Sequence, residues 1–299
     1  MDNLIESKQH YLAKLHEELL SIMDEVDRIC QVYHLHYFLT GGSCLGAIRH
    51  KGFIPWDDDL DIVMPRNDFD MLISLINGQS VGCSVLDDRF YLRWITTEKK
   101  YNQDFAKICL KGTVFQEKEG PASQYAGIFL DIFPLEPSKK YSRKIAFKSR
   151  VYKYFHGCLY LKGTEQKEID WSLIHWPRNI LSTLLPNGTI YKIMLWVIKS
   201  KDRKDDCHAF FSSPYPIERQ VFPIEWHGEG KRMLFEGRQY MCPSEPEKVM
   251  KSFYGPYFMV LPPEEKRKSH YPIRVVFSDG EELLFGRNEK RITYNDIID

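Results

Sequence analysis

No run of 18 or more apolar residues occurs in the 299-residue sequence, so it offers no segment to span a bilayer. Its first twenty residues, MDNLIESKQHYLAKLHEELL, alternate charged with apolar positions and lack the uninterrupted apolar core of a secretory leader. Cys-x-x-Cys pairs are missing, and the seven cysteines (Cys30, Cys44, Cys83, Cys109, Cys158, Cys207 and Cys242) are scattered and odd in number. That pattern argues against a disulfide framework or a thiolate zinc site and implies reduced thiols in a reducing, cytoplasmic compartment. His156/Cys158 and Cys207/His208 remain as soft-metal candidates, against the commoner use of cysteine as a small buried apolar residue. Internal repeats and low-complexity tracts are also missing, and the net charge is zero.

Charge is nevertheless unevenly spread. Residues 139–204 hold 15 Lys+Arg against 4 Asp+Glu, a surplus of 11, so the rest of the chain carries the opposite balance. Within this segment KKYSRKIAFKSRVYKYF and IYKIMLWVIKSKDRK interleave basic with apolar and aromatic residues, a composition that suits either a peripheral contact with an anionic membrane surface or ordinary helical packing with a basic outer face. No nucleic-acid-binding motif accompanies the charge, so a nucleic-acid partner is not expected.

The chain is 43% hydrophobic and 14% aromatic, enough for a sizeable core. Leu12, Leu15, Leu19, Ile22, Val26 and Ile29 recur at steps of three and four. They mark an amphipathic helix over roughly residues 6–33, expected to pack on a core and not to form a coiled coil. HYFLTGG reads as a short strand ending in a glycine turn, CLGAIRHK as one or two helical turns, and LDIVM as a strand. A helix near residues 67–77 follows, with Asn67 or Asp68 as its cap. CSVL, FYLRWITT, DFAKICL and GIFLDIF supply further strand candidates. Helices and strands thus mix through residues 1–135, which predicts an α+β sheet domain. Residues 139–204 read as helical with breaks near Gly163, Pro177 and Pro186-Asn187-Gly188, and residues 205–299 as irregular, with short helices and strands.

The most informative run is LTGGSCLGAIRHKGFIPWDDDLDIVMPR, residues 39–66. Side chains alternate along a strand, so Asp57, Asp59 and Asp61 share one face while Asp58, Leu60 and Ile62 share the other. Carboxylates aligned at a sheet edge repel one another unless a cation lies between them, and hard oxygen ligands suit Mg²⁺ or Mn²⁺. The spacing also fits the first positions of an EF-hand, but Ile62 stands where glycine is needed and Asp68 where glutamate is expected, so that reading fails. A solvated turn or a helix cap are the bland alternatives. Upstream, Gly41, Gly42 and Ser43 form a turn where backbone can approach a phosphate, ahead of a short helix with free N–H groups.

A glycine-serine turn, a helix and an Asp-x-Asp strand resemble the nucleotidyltransferase superfamily. The fuller string GGSCLGAIRHKGFIPWDDDLDI resembles the LicD family, which includes bacterial phosphorylcholine transferases and is related to fukutin-type ribitol-phosphate transferases. The similarity continues at GIFLDIFPLE (127–136) and at FEGRQYMCPSEPEKVMKSFYGPYFMVLPPEEKRKSH (235–270). It implies a nucleotidyltransferase-like mixed sheet with flanking helices over 1–138, a basic helical segment over 139–204, and a region 205–299 completing the domain. It also implies that Asp59 and Asp61 are metal ligands and that Asp131 is the third carboxylate. Asp131 lies in the hydrophobic strand GIFLDIFP, where a lone carboxylate is costly unless paired or hydrogen-bonded.

The activity implied is transfer of a phospho-alcohol from a CDP-linked donor to a surface glycan or lipid-linked glycan, with CMP released. Asp131 is then a shared ligand or the general base. Arg49, His50, Lys51 and Arg66 are candidates to contact donor phosphates, with Lys107 and Lys111 behind them; solvated surface charge is the alternative for each. Were choline transferred, Trp56, Trp226, Tyr254 and Tyr257 are the aromatics nearest the motifs for its ammonium group. Glu236, Tyr254, Gly255 and His270 match the family pattern without a role readable from spacing. Nucleotidyl transfer from an NTP and a silent glycan-binding module are the rival functions.

Overall fold

The computed structural model describes residues 2–117, 126–163, 176–199, 205–267, 269 and 272–285. After the long helix α1 (Asp2–Tyr33) come β1 (Phe38–Leu39), α2 (Gly41–Arg49), β2 (Asp61–Pro65), α3 (Arg66–Ile76), β3 (Phe90–Arg93), β4 (Ala106–Leu110), β5 (Val114–Gln116) and β6 (Phe129–Ser138). The central sheet runs β1-β2-β6-β4-β3. Its β2 and β6 are parallel, and the other neighbours in that row are antiparallel. The fold is α+β.

The apolar stripe of α1 faces this sheet. Leu12, Leu15, Leu19, Ile22, Val26 and Ile29 are all buried, and the helix lies on β4 and β6. Its three-and-four spacing is therefore a core face. In β4, Ala106 through Leu110 are buried without alternation, as expected of a strand covered on both faces.

Three local expectations are corrected. Gly41 and Gly42 are not a turn ahead of the helix but its first residues. Strand CSVL does not form: Arg28 donates to the Val85 carbonyl, Ser84 Oγ accepts the Leu86 N–H, and the segment follows two positive-φ glycines, Gly78 and Gly82. At the start of α3 the cap position is Pro65 with no side-chain cap, and Asp68 instead accepts the backbone N–H of His36 (3.1 Å).

The basic segment forms α4 (Arg143–Gly163), α5 (Trp176–Leu184) and α6 (Asn187–Ile198). Prolines start α5 and precede α6, where a missing N–H costs nothing. α4 and α6 run antiparallel: Lys148 Nζ donates to the Ile198 and Lys199 carbonyls at one end, Lys162 Nζ to the Leu185 carbonyl at the other. Both lay their inner faces on the loop after β3. Tyr152 donates to Asp104 (2.5 Å), Asn187 Nδ2 to the Tyr101 carbonyl (2.8 Å), and Tyr191 packs edge-on to Trp94.

Residues after 205 contribute β7 (Cys207–Ala209), β8 (Val221–Pro223), α7 (Ile224–His227), β9 (Lys231–Phe235), β10 (Arg238–Cys242), α8 (Pro246–Tyr254), β11 (Arg274–Val276) and β12 (Glu282–Leu284). β7 extends the sheet from the far half of β6, β9 and β10 form a hairpin, and β11 joins β5. Neither soft-metal candidate assembles. Cys207 is buried in β7, and His208 faces the buried His227, Nδ1 to Nδ1 at 3.4 Å. Burial holds both rings neutral, pushing His208 down to about 4 and His227 to about 3. Cys158 donates to the Tyr154 carbonyl, while His156 lies toward Asp104.

Candidate active site

Strand register alone gathers the central residues. Asp61 pairs with Asp131 across the parallel β2–β6 ladder, and Asp131 pairs with Lys107 across the antiparallel β6–β4 ladder. Directly paired residues present their side chains to the same face, one strand spacing of about 4.8 Å apart. Two carboxylates and an ammonium therefore stand in one row. Lys107 Nζ lies 3.2 Å from Asp131 Oδ1 and 3.2 Å from the centroid of the Phe129 ring. Burial works against the Lys107 charge, but Asp131 and Glu117 outweigh it and raise its pKa.

Regular pairing of β2 begins at Asp61, and residues 57–60 lead into it. Burial still alternates along it: Asp57, Asp59 and Asp61 are partly exposed while Asp58, Leu60 and Ile62 are buried. Two contacts set the position of this lead-in and of Asp61 behind it. His16 on α1, stacked on Phe53, donates Nε2–H to the Asp57 carbonyl (2.8 Å), and Ser43 Oγ accepts the Asp61 N–H (2.9 Å). Glycine is required opposite them. Gly41 has φ +53, and a Cβ there would lie 3.7 Å from Asp61 Oδ2 and 3.8 Å from the Tyr254 hydroxyl; on Gly42 it would lie 2.4 Å from Asp57 Oδ2.

Negative charge accumulates here. Burial and then the neighbouring aspartates push Asp57 and Asp61 well above the carboxylate range. Asp131 is pushed up to about 7 by burial and by Glu117 and Asp59, against the pull of Lys107. Asp131 Oδ1 is buried and faces the Lys107 ammonium at 3.2 Å. The first turn of α2, a helix N-terminus that favours anions, thus faces Asp57 and Asp61. An anion approaching that turn would meet these carboxylates, and a cation between them would offset the repulsion. In kind the donors fit Mg²⁺ or Mn²⁺: hard carboxylate oxygens crowded together. Among the described residues no three His, Cys, Asp or Glu side chains are already closed into a metal cage.

Residues 34–179, which hold α2, the aspartate strand and β6, match the family model described as "LicD/FKTN/FKRP, nucleotidyltransferase domain". The Haemophilus influenzae lipopolysaccharide cholinephosphotransferase LicD is 30% identical over 268 residues, 84% of this chain and 92% of that protein. The chain belongs to the LicD family. Human and mouse ribitol 5-phosphate transferase FKRP are each 39% identical over 74 residues, which cover 25% of this chain and 14% of theirs.

Within this LicD-family chain several candidates prove to be occupied elsewhere. Arg66 stands at the opposite end of β2 from Asp61, where Nε donates to Glu136 (3.0 Å) and Nη1 to Asp70 (3.1 Å). Lys51 is exposed at φ +59 and contributes its carbonyl to the Glu236 N–H. Arg49 donates to the Phe258 carbonyl (3.1 Å) and, through Nε, to His50 Nδ1 (3.4 Å) at the end of α2. Lys111 lies past the far end of β4. Trp226 packs against Phe222, Tyr257 is 79% exposed, and Trp56 carries Arg267 over its ring at 5.4 Å. Tyr254 reaches the site, edge-on to Tyr215. His270 lies outside the described residues.

Two supports escaped sequence reading. His16 is a polar residue beside the apolar stripe of α1, and a histidine there reads as helix surface. Glu236 matched a family pattern with no role attached. It sits at φ +48 in the β9–β10 turn, and its Oε1 accepts the Phe53 N–H (3.0 Å). Gly52 makes room for it, since a Cβ there would lie 2.0 Å from that oxygen. Glu236→Ala is expected to loosen the lead-in to Asp57 and lower turnover roughly tenfold or more, as displacement by about 1 Å does elsewhere. Glu236→Gln keeps the acceptor oxygen and should retain most activity. Equal steady-state rates for the alanine variant and the parent would contradict this role.

Proposed function

We propose that this chain, a phosphotransferase by its family, transfers phosphocholine from CDP-choline to a hydroxyl of a cell-surface glycan, such as a lipopolysaccharide or teichoic acid precursor. The carrying observation is the row of Asp61, Asp131 and Lys107, with Asp61 lying against the glycine that starts α2. The acceptor oxygen attacks the phosphorus bearing the alcohol; the bond to the CMP phosphate oxygen breaks, and CMP leaves with that electron pair. Asp59, Asp61 and Asp131 would hold Mg²⁺ or Mn²⁺. When bound, the ion supplies charge neutralisation at the donor phosphates. The lack of a Cβ at Gly41 and Gly42 lets Asp57 and Asp61 close on the start of α2, whose free N–H groups would meet the donor phosphates, while Lys107 orients Asp131. Asp131 is either a shared ligand of that ion or the general base that takes the acceptor's proton.

Ribitol phosphate from CDP-ribitol is the second reading, favoured by the similarity of 74 residues to ribitol 5-phosphate transferase FKRP; glycerol phosphate from CDP-glycerol would use the same chemistry. The test is incubation of the full chain and Mg²⁺ with CDP-choline, CDP-ribitol, CDP-glycerol and NTPs, plus glycan acceptors. CMP release with labelled phosphocholine on the glycan is expected. Pyrophosphate from an NTP, with no CDP-alcohol consumed, would replace phospho-alcohol transfer by nucleotidyl transfer.

A further inference from the structure

Away from the aspartate site, the helical unit of α4, α5 and α6 has an unusual surface. Residues 139–163 and 176–199 contain 11 Lys+Arg and no Asp or Glu. Around α6 the buried positions Asn187, Ile190, Tyr191, Met194 and Ile198 form one face. At about 100° per residue, Trp196 lies directly opposite it, 75% exposed, flanked by exposed Lys192 and Lys199. On α4, Ile145, Ser149 and Tyr152 are buried while Phe147 is 65% exposed between Arg143 and Arg150. Because both helices dock their inner faces on the same loop, through Tyr152–Asp104 and Asn187–Tyr101, their outer faces look away from the core on one side of the molecule.

An exposed tryptophan and phenylalanine are poorly explained by solubility, and basic side chains stand beside both on helices that carry no carboxylate of their own. Aromatic rings set among lysines and arginines match the headgroup boundary of an anionic bilayer: the rings bury at the acyl edge, and the cations meet lipid phosphates. No described helix is long and apolar enough to cross a membrane, so the contact lies on its surface.

We propose that the outer face of α4 and α6, with Phe147 and Trp196 as the inserting side chains, docks this protein onto an anionic lipid bilayer. The surface lies on helices that contribute none of the aspartate-site residues, so its binding stands independently of the transfer reaction.

Sedimentation of the full chain with phosphatidylcholine vesicles, with and without phosphatidylglycerol, tests this. Binding to the anionic vesicles is expected to exceed that to neutral ones and to fall in high salt. Each basic residue at the surface contributes about fivefold in partitioning, so Lys192→Glu with Arg143→Glu should lower binding at least tenfold. Phe147→Ser with Trp196→Ser should also release the protein, with circular dichroism unchanged. No binding to anionic vesicles would overturn the proposal. So would binding that is indifferent to the two aromatic substitutions and equalled by heparin, which would make this face a general polyanion site.

Discussion

Replacing Asp61 with asparagine is expected to lower transfer about a thousandfold, the scale on which a group acting on transition-state charge contributes, while leaving the fold no less stable. Asp61 stands beside Asp131 in the β2–β6 ladder, and its pKa is raised by burial and by Asp59 and Asp131. In the absence of a cation its charge works against the folded state. Asparagine keeps the shape, and the backbone N–H that Ser43 accepts is untouched. Activity and stability should therefore separate, as they do where a site is organised for chemistry at some cost in stability. Steady-state rates and thermal unfolding of the metal-free variant check both halves. Activity within tenfold of the parent, or a thermal midpoint several degrees lower, would contradict the assignment.

Arg66→Ala is expected to do the reverse. Its guanidinium is 13% exposed, held between Glu136 and Asp70 and lying over Phe69 at 5.1 Å. The Glu136 carboxylate is 10% exposed. Removing one partner of a buried pair strands the other charge, a loss of about 3–5 kcal/mol, or roughly 10 °C in Tm for a chain of this size. Below the unfolding range, KM for the donor should stay within twofold of the parent. Weakened donor binding at unchanged stability would instead restore Arg66 as a phosphate contact.

What could be read from the sequence follows the range of the interactions. The α1 stripe, the LDIVM and GIFLDIF strands and the grouping of Asp57, Asp59 and Asp61 rest on periodicity within one segment. The pairing of Asp61 with Asp131, seventy residues apart, was legible only through family resemblance, because register between distant strands leaves no local mark. Arg66 shows the opposite failure. An arginine just beyond an aspartate strand invites a phosphate, yet four residues of extended chain carry it to the far end of β2, where Glu136 waits on β6. The same blindness hid Glu236 and His16, whose partners Phe53 and Asp57 meet them only after the β9–β10 hairpin and α1 close around the lead-in. The C-terminal region looked irregular because its strands are three to five residues long, too short for alternation to show, although β7 is continuous with the central sheet.

The claim that Asp59, Asp61 and Asp131 hold the ion serving this reaction is tested most directly by manganese binding to the full chain in the presence of CDP-choline, followed by electron paramagnetic resonance. Saturable binding by the parent protein, lost in Asp61→Asn and retained in Arg66→Lys, is the expected result. Manganese bound equally well by the Asp61→Asn variant, or not bound by the parent at all, would contradict it.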